Sequence, residues 1–451
     1  MKKGLALFLA LLMAFPLAAC GSSNTASTAD VSSAGDSADS TASSVAEASG
    51  SVYYLNFKPE ADEAFQAIAK EYTEETGVPV TVVTAAEGTY EPTLTTEMDK
   101  GDNAPTLFVI GSQTDLDTWG DYTLDLTDTD IYKQLTSDTW AIKGDDGGVY
   151  GLAYVYESFG IIANTALLKK AGHTLDDITN FDTLKSVVED IHSRAGALGF
   201  DAFTSSTLDG SSSWRFSGHL ANMPLFYEFR DNNVTSQPAT ITGAYLDNMR
   251  NIWNLYINNS ATDPAQLSVA SDAEEEFGDG KAVFYQNGSW EYSNLTANYG
   301  MTDDELAMIP IYIGVDGEEK QGLCSGTENY WAVNSKAPQE NIDATLAFLY
   351  WMVTSDKGTT CLADTLGFQS PFKAAKTAPN LFTANAAQYE TNGCYNVSWA
   401  FNYTPNASEP WRQGVVAALT QYSADQSDNN WADVVSAFVD GWATQYNIQH
   451  Q

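Results

Sequence analysis

A small set of side chains in this sequence could do chemistry, and the chemistry is recognition rather than reaction. Trp214 follows Asp209-Gly-Ser-Ser-Ser213, in a loop where no helical stripe demands it. Trp290 follows Asn287-Gly288, where the chain must turn tightly. Lys58 and Glu60 come directly after one apolar run, and Glu87 and Tyr90 directly after another. Flat aromatic platforms beside planar polar groups suit an uncharged, hydroxyl-rich molecule: the rings meet its C–H faces and the polar groups pair its hydroxyls. Reaction chemistry finds less support. Gly-x-Ser-x-Gly, a P-loop and Gly-x-Gly-x-x-Gly are absent. Paired carboxylates for glycoside hydrolysis could be drawn anywhere among 59 acids, so their presence decides nothing. The reading is a non-enzyme.

No metal or cofactor is expected either. His173, His192, His219 and His450 are scattered, and no Cys-x-x-Cys pair exists. No EF-hand loop is present, although calcium stays open in so acidic a chain. Cys324, Cys361 and Cys394 are odd in number, allow at most one disulfide, and read as small buried hydrophobes.

The chain has 451 residues and a formal charge of −38, which argues against nucleic acid and other anionic partners. Only 18% of residues are charged and 12% are aromatic, so the chain reads as a packed protein of two or more lobes.

The N-terminus gives a compartment. Met1-Lys2-Lys3 precedes an apolar run, Leu5–Ala19, too short to span a bilayer. Leu17-Ala18-Ala19-Cys20-Gly21 resembles a bacterial lipobox, which implies cleavage after residue 19 and a diacylglycerol thioether on Cys20. Two acyl chains anchor a protein stably. Loss of Lys2 and Lys3 would take the charge from −38 to −40. Residues 21–50 contain 23 Ser, Thr, Ala or Gly and no aromatic, as expected of a disordered tether. Its reach would be about 30 Å.

The elements that must position the candidates begin at residue 51. Val52–Phe57, Val78–Thr84 and Thr106–Ile110 are predicted strands, separated by helices with apolar positions at Ala61, Phe65, Ile68 and Tyr72 and then over Glu91–Lys100. This β-α-β-α-β series predicts a parallel, doubly wound sheet, whose ligands bind beyond the carboxyl ends of strands. Further on, Phe159–Asn164, Ala282–Tyr285 and Tyr330–Asn334 are predicted strands. Asp182–Ala195, the stripe Leu246, Met249, Trp253, Tyr256, the segment Pro338–Thr354 and the stripe Trp431, Val434, Phe438, Trp442 are predicted helices.

Several stretches, in order, resemble extracellular solute-binding proteins of ABC importers, in the carbohydrate-binding family that includes maltose-binding protein. They are the lipobox and tether, Phe65–Val80, Gly101–Phe108, Tyr150–Glu157 with Ile161–Asn164, Gly280–Trp290, Ser325–Asn334 and Asp356-Lys-Gly358. Thr106 and Ala163-Asn164-Thr165 depart from the family pattern. The resemblance implies an α/β, two-lobed periplasmic-binding-protein-like fold with a hinge between lobes. One lobe would hold 51–155 and 320–384, the other 156–319 and 385–451. It implies that Trp290 stacks on sugar, that Trp411 is a late aromatic platform, and that Glu157 is the carboxylate of the first crossing. Glu328 and Tyr330 would lie at the return crossing, and Asn287 at a strand end. The implied partners are an oligosaccharide, permease subunits of an ABC transporter, and the outer face of the cell membrane through Cys20, with the protein itself a monomer. A surface glycan-binding lipoprotein uncoupled from transport, or a binding protein for a non-sugar solute such as a polyamine, stays open.

Overall fold

The computed structural model describes residues 50–86, 88–269, 271–405 and 409–451, within a compact unit spanning Glu47–Gln451. The signal peptide, Cys20, nearly all of the tether, and Glu87 lie outside the described residues. No helix among the described residues is long and apolar enough to cross a membrane.

The first sheet is built on β1 (Val52–Asn56), β2 (Val80–Thr84) and β3 (Leu107–Ile110). These three are parallel, with β1 in the middle. Helix Asp62–Thr76 joins β1 to β2 and buries Phe65, Ile68, Ala69 and Tyr72, the i, i+3, i+4, i+7 face. Gly77 ends it in the left-handed conformation, at φ 77°. Two further strands, β4 (Ala141–Lys143) and β5 (Val149–Ala153), form an antiparallel pair at one edge.

The chain then leaves for the second sheet. Its centre is β6 (Glu157–Asn164), buried along all eight residues because neighbours cover both faces. Phe159, Ile161 and Ala163 enter one core and Ile162 a second core on the opposite face, the alternation of a strand. Around it lie β7 (Asp201–Phe203), β8 (Ala282–Gly288), β9 (Leu306–Ile309) and β10 (Gln321–Gly326). One edge of β6 pairs with β8, while the other is shared by β10 and β9 in succession. Gly160 sits at that handover, where a Cβ would lie 2.5 Å from the Ile309 carbonyl oxygen. The chain returns through β11 (Tyr330–Val333), which inserts antiparallel between β3 and β5, and finishes with β12 (Tyr395–Val397) beside β10.

Three expectations change here. The first sheet is mixed rather than parallel, because β11 arrives from the other lobe and runs against β3. The boundary of the second lobe falls after Gly326 rather than at residue 319, because β10 completes the second sheet before the chain leaves it; the return crossing itself, Thr327–Asn329, lies within the stretch Ser325–Asn334 expected to carry it. Likewise helix Leu381–Thr391 buries Phe382 and Ala386 in the second lobe, so that lobe resumes before residue 385. The α/β architecture of two lobes, each with its own sheet and core, stands as expected. The three described cysteines are free.

Candidate functional site

Lys58 stands at the carboxyl end of β1. Asn56 holds it there by accepting from the Lys58 N–H at 3.1 Å and donating to its carbonyl at 2.7 Å. Its ammonium is buried, 2.9 Å from Glu157 Oε1 and 3.3 Å from Glu60 Oε1. Burial alone would depress the lysine; the Glu157 and Glu60 carboxylates outweigh it and hold the ammonium above its usual value. Glu157 is the first residue of β6, and its other oxygen accepts from Asn329 Nδ2 at 3.0 Å. One carboxylate therefore joins the first lobe, the outgoing crossing and the returning one. Burial pushes that carboxyl up, and Lys58 pulls it back.

Facing this ion pair is an aromatic wall from the second lobe. The Lys58 ammonium is 5.8 Å from the centre of the Trp290 ring, within cation–π reach. Trp290 is half-buried, and its indole folds back over Gly288, where a Cβ would lie 2.1 Å from the ring. Trp399 is seated against Gly326 in the same way, at 2.7 Å. Trp214, also half-buried, lies 5.9 Å from Trp290 and donates from its indole N–H to the Ser211 carbonyl at 2.7 Å. Asp209 pins that loop, accepting from the Ser211 N–H and from the hydroxyls of Ser211 and Ser212. Burial would raise its carboxyl, but these donors hold it down at about 2.

His219 occupies the middle of the wall. It stacks on Phe159 at 4.1 Å, with Trp214 at 5.0 Å and Trp290 at 5.3 Å. It belongs to a π-helical turn, Arg215–Leu220, that leads into helix Ala221–Asn232. Pro224 explains the wide turn: it offers no N–H to the Leu220 carbonyl, and its ring crowds a regular α turn there. Such turns are frequent at functional sites. Burial, then the charges of Arg412 and Arg215, hold the imidazole well below its ordinary pKa, so it is neutral at pH 7.

At the other end of the wall Glu328 is half-exposed and 4.0 Å from Arg412, and Tyr330 is half-buried at the first residue of β11. Burial pushes the Tyr330 hydroxyl up to about 12. Asp115 completes this region. Burial raises its carboxyl to about 6 even though it accepts from the N–H groups of Gly111 and Ser112.

The structure thus brings together Lys58, Glu60, Glu157, Trp214 and Trp290, and sets Glu328 and Tyr330 at the return crossing. It corrects three expectations. Trp411 is 1% exposed, packs edge-on against Phe438 and Trp442, and donates to the Phe438 carbonyl, so it is a core residue of the second lobe. Tyr90 is buried in the first lobe, its hydroxyl committed to the backbone of β1 and β3: it accepts from the Val109 N–H at 2.7 Å and donates to the Leu55 carbonyl at 3.4 Å. Asn287 is buried and its amide is committed to Tyr285 and Glu291, which fixes the turn before Trp290. Reading by residue type missed His219 and its neighbours Trp399 and Arg412. Among the described residues no three His, Cys, Asp or Glu side chains converge to hold a metal ion.

A buried charged clasp where two lobes cross, opposed by the half-buried indoles of Trp214 and Trp290, is the candidate binding site. The sequence profile of the bacterial extracellular solute-binding protein family matches residues 67–391, and the chain belongs to that family. Among solved structures it is similar to the solute-binding protein RafE in complex with raffinose, at 17% identity over 89% of this chain and 100% of that one, TM-score 0.68. It is similar to the GacH receptor of Streptomyces glaucescens, at 17% identity over 89% and 97%, TM-score 0.60. Maltose-bound MalE3 of T. maritima is similar at 14% identity over 88% and 99%, TM-score 0.63. Among the curated proteins none matches this chain in sequence.

Proposed function

We propose that this chain is the substrate-binding component of an ABC importer, and that it captures a neutral carbohydrate, an oligosaccharide by preference, between its lobes. The observation that carries the reading is the pair of half-buried indoles, Trp214 and Trp290, 5.9 Å apart and opposite the Lys58–Glu157 clasp. Rings of this kind cover the C–H faces of a sugar, while Glu60, Glu328 and Tyr330 at the margins accept or donate to its hydroxyls. The similar structures described as bound to raffinose, maltose and acarbose support the same class of ligand. Cys20, lipidated, would tether the protein to the outer face of the cell membrane, and the closed, loaded form would be the one presented to the permease subunits. Ligand drives closure only by binding the closed form better than the open one.

Titration calorimetry against raffinose, stachyose, maltose and their component monosaccharides tests the ligand class. Heat with at least one sugar is expected; binding of a polyamine or peptide with no heat from any sugar overturns the reading. Small-angle scattering then separates capture for transport from adhesion. A sugar-dependent fall in radius of gyration is expected, and an unchanged radius would favour adhesion. Cys20→Ser should release the protein from the membrane fraction.

A further inference from the structure

Among the described residues, His219 and Gln286 are two of several second-lobe polar side chains buried without a hydrogen-bond partner, Tyr256, Ser260 and Trp431 being others. His219 is 4% exposed, and neither ring nitrogen hydrogen-bonds to a described residue; Nδ1 is wholly enclosed. Gln286 is 2% exposed, and neither its amide nitrogen nor its amide oxygen has a partner among the described residues. Buried polar groups in native proteins are nearly always paired, and leaving one unmade is costly. Two on one face of a sheet is a pattern that asks for an occupant.

They lie on the same face of the second sheet. Gln286, on β8, is directly opposite Ile161 of β6. Directly opposed residues of antiparallel strands project to the same face. Phe159 is two residues from Ile161, so it shares that face, and His219 is stacked on Phe159. The imidazole is flanked by Trp214 and Trp290, the two half-buried rings assigned to the ligand above.

We propose that His219 and Gln286 are specificity-determining residues that hydrogen-bond ligand hydroxyls at the floor of the aromatic wall. The proposal rests on the carbohydrate reading and sharpens it. A neutral imidazole offers one donor and one acceptor, and a carboxamide two donors and one acceptor oxygen. A hydroxyl both donates and accepts, so it satisfies either tautomer of the imidazole and either end of the amide. A cation is disfavoured, since Arg215 and Arg412 already bring positive charge to His219. The Arg215 guanidinium is itself committed to the backbone carbonyls of Gln286 and Ser205. The ligand class is therefore an uncharged polyol ring, stacked by the indoles and read at two hydroxyls. Cationic amino sugars and polyamines are therefore expected to bind this wall less well than neutral sugars.

The test compares the wild-type chain with His219→Phe and Gln286→Met. Each is probed by calorimetry with raffinose, stachyose, maltose and spermidine, and by thermal unfolding without ligand. Both substitutions remove an unpaired buried polar group while keeping bulk. The expected result is a midpoint of unfolding unchanged or raised, with at least tenfold weaker binding of the sugar that wild type prefers. Spermidine should give no heat. Should the phenylalanine variant fail to fold, the near-isosteric Gln286→Met carries the test. Sugar affinity within twofold of wild type in the folded variants, above all with a lowered midpoint, overturns the role of these residues and leaves the carbohydrate reading standing. A wild-type protein that binds no sugar overturns both.

Discussion

The two lobes face each other with different chemistry. The first lobe offers charge: Lys58 and Glu60 at the end of β1, closed against Glu157 of the crossing. The second offers surface: Trp214, Trp290, Trp399 and Phe401 gathered around His219. The Lys58 ammonium is already paired with carboxylates, whereas Trp214 and Trp290 are only half covered. Affinity for a neutral ligand should therefore reside mainly in the second lobe. The first lobe should instead govern how the halves are held together.

That contrast can be broken in a graded way. Trp411→Ala should have the largest effect, a loss of about 3–5 kcal/mol in folding stability, since it empties a packed core site. Chemical denaturation would read this, and a stable variant would restore Trp411 to the surface. Glu157→Ala should come next, at about 3–5 kcal/mol or less, because it strands the buried Lys58 ammonium. Replacing both partners with apolar residues, Lys58→Met with Glu157→Leu, should recover most of that loss. Trp290→Ala should leave the unfolding midpoint nearly unchanged and weaken sugar binding about 10- to 100-fold, in line with the loss of a central aromatic anchor. Equal losses of stability and affinity would erase the division between the lobes.

The smallest effect concerns pH. Burial first, then the charge of Asp115, raises the Glu91 carboxyl from 4.5 to about 7. Between those values the folded protein holds a proton that the unfolded chain has released, so stability rises as pH falls through this window. Glu91→Gln should flatten that slope, raising the unfolding midpoint by about 1–3 °C at pH 8 and leaving it unchanged at pH 4. Scanning calorimetry at the two pH values reads the difference.

How much of this was visible beforehand depended on period. The helix of Phe65 and Tyr72 and the strand of Phe159 carry repeats that fix which face is inward, and both formed as expected. Trp411 had such a signal too. Val415, Ala418, Leu419 and Tyr422 continue its stripe along helix Glu409–Ala424, and the family resemblance obscured it. His219 had none, because a single histidine between apolar residues is silent until Phe159 arrives from a distant strand. The mixed order of the first sheet was equally hidden. It depends on a strand some two hundred residues downstream, and no local pattern encodes a return.

Gly288 has a consequence for the thermodynamics of capture. With the Trp290 indole lying across its α-carbon, the ring has few rotamers left before any ligand arrives. Fixing an aromatic side chain on binding ordinarily consumes conformational entropy. The seat on Gly288 already restricts the ring, so less of that freedom is left to lose on binding. A residue without a side chain, two positions from the contact itself, thereby sets part of the affinity.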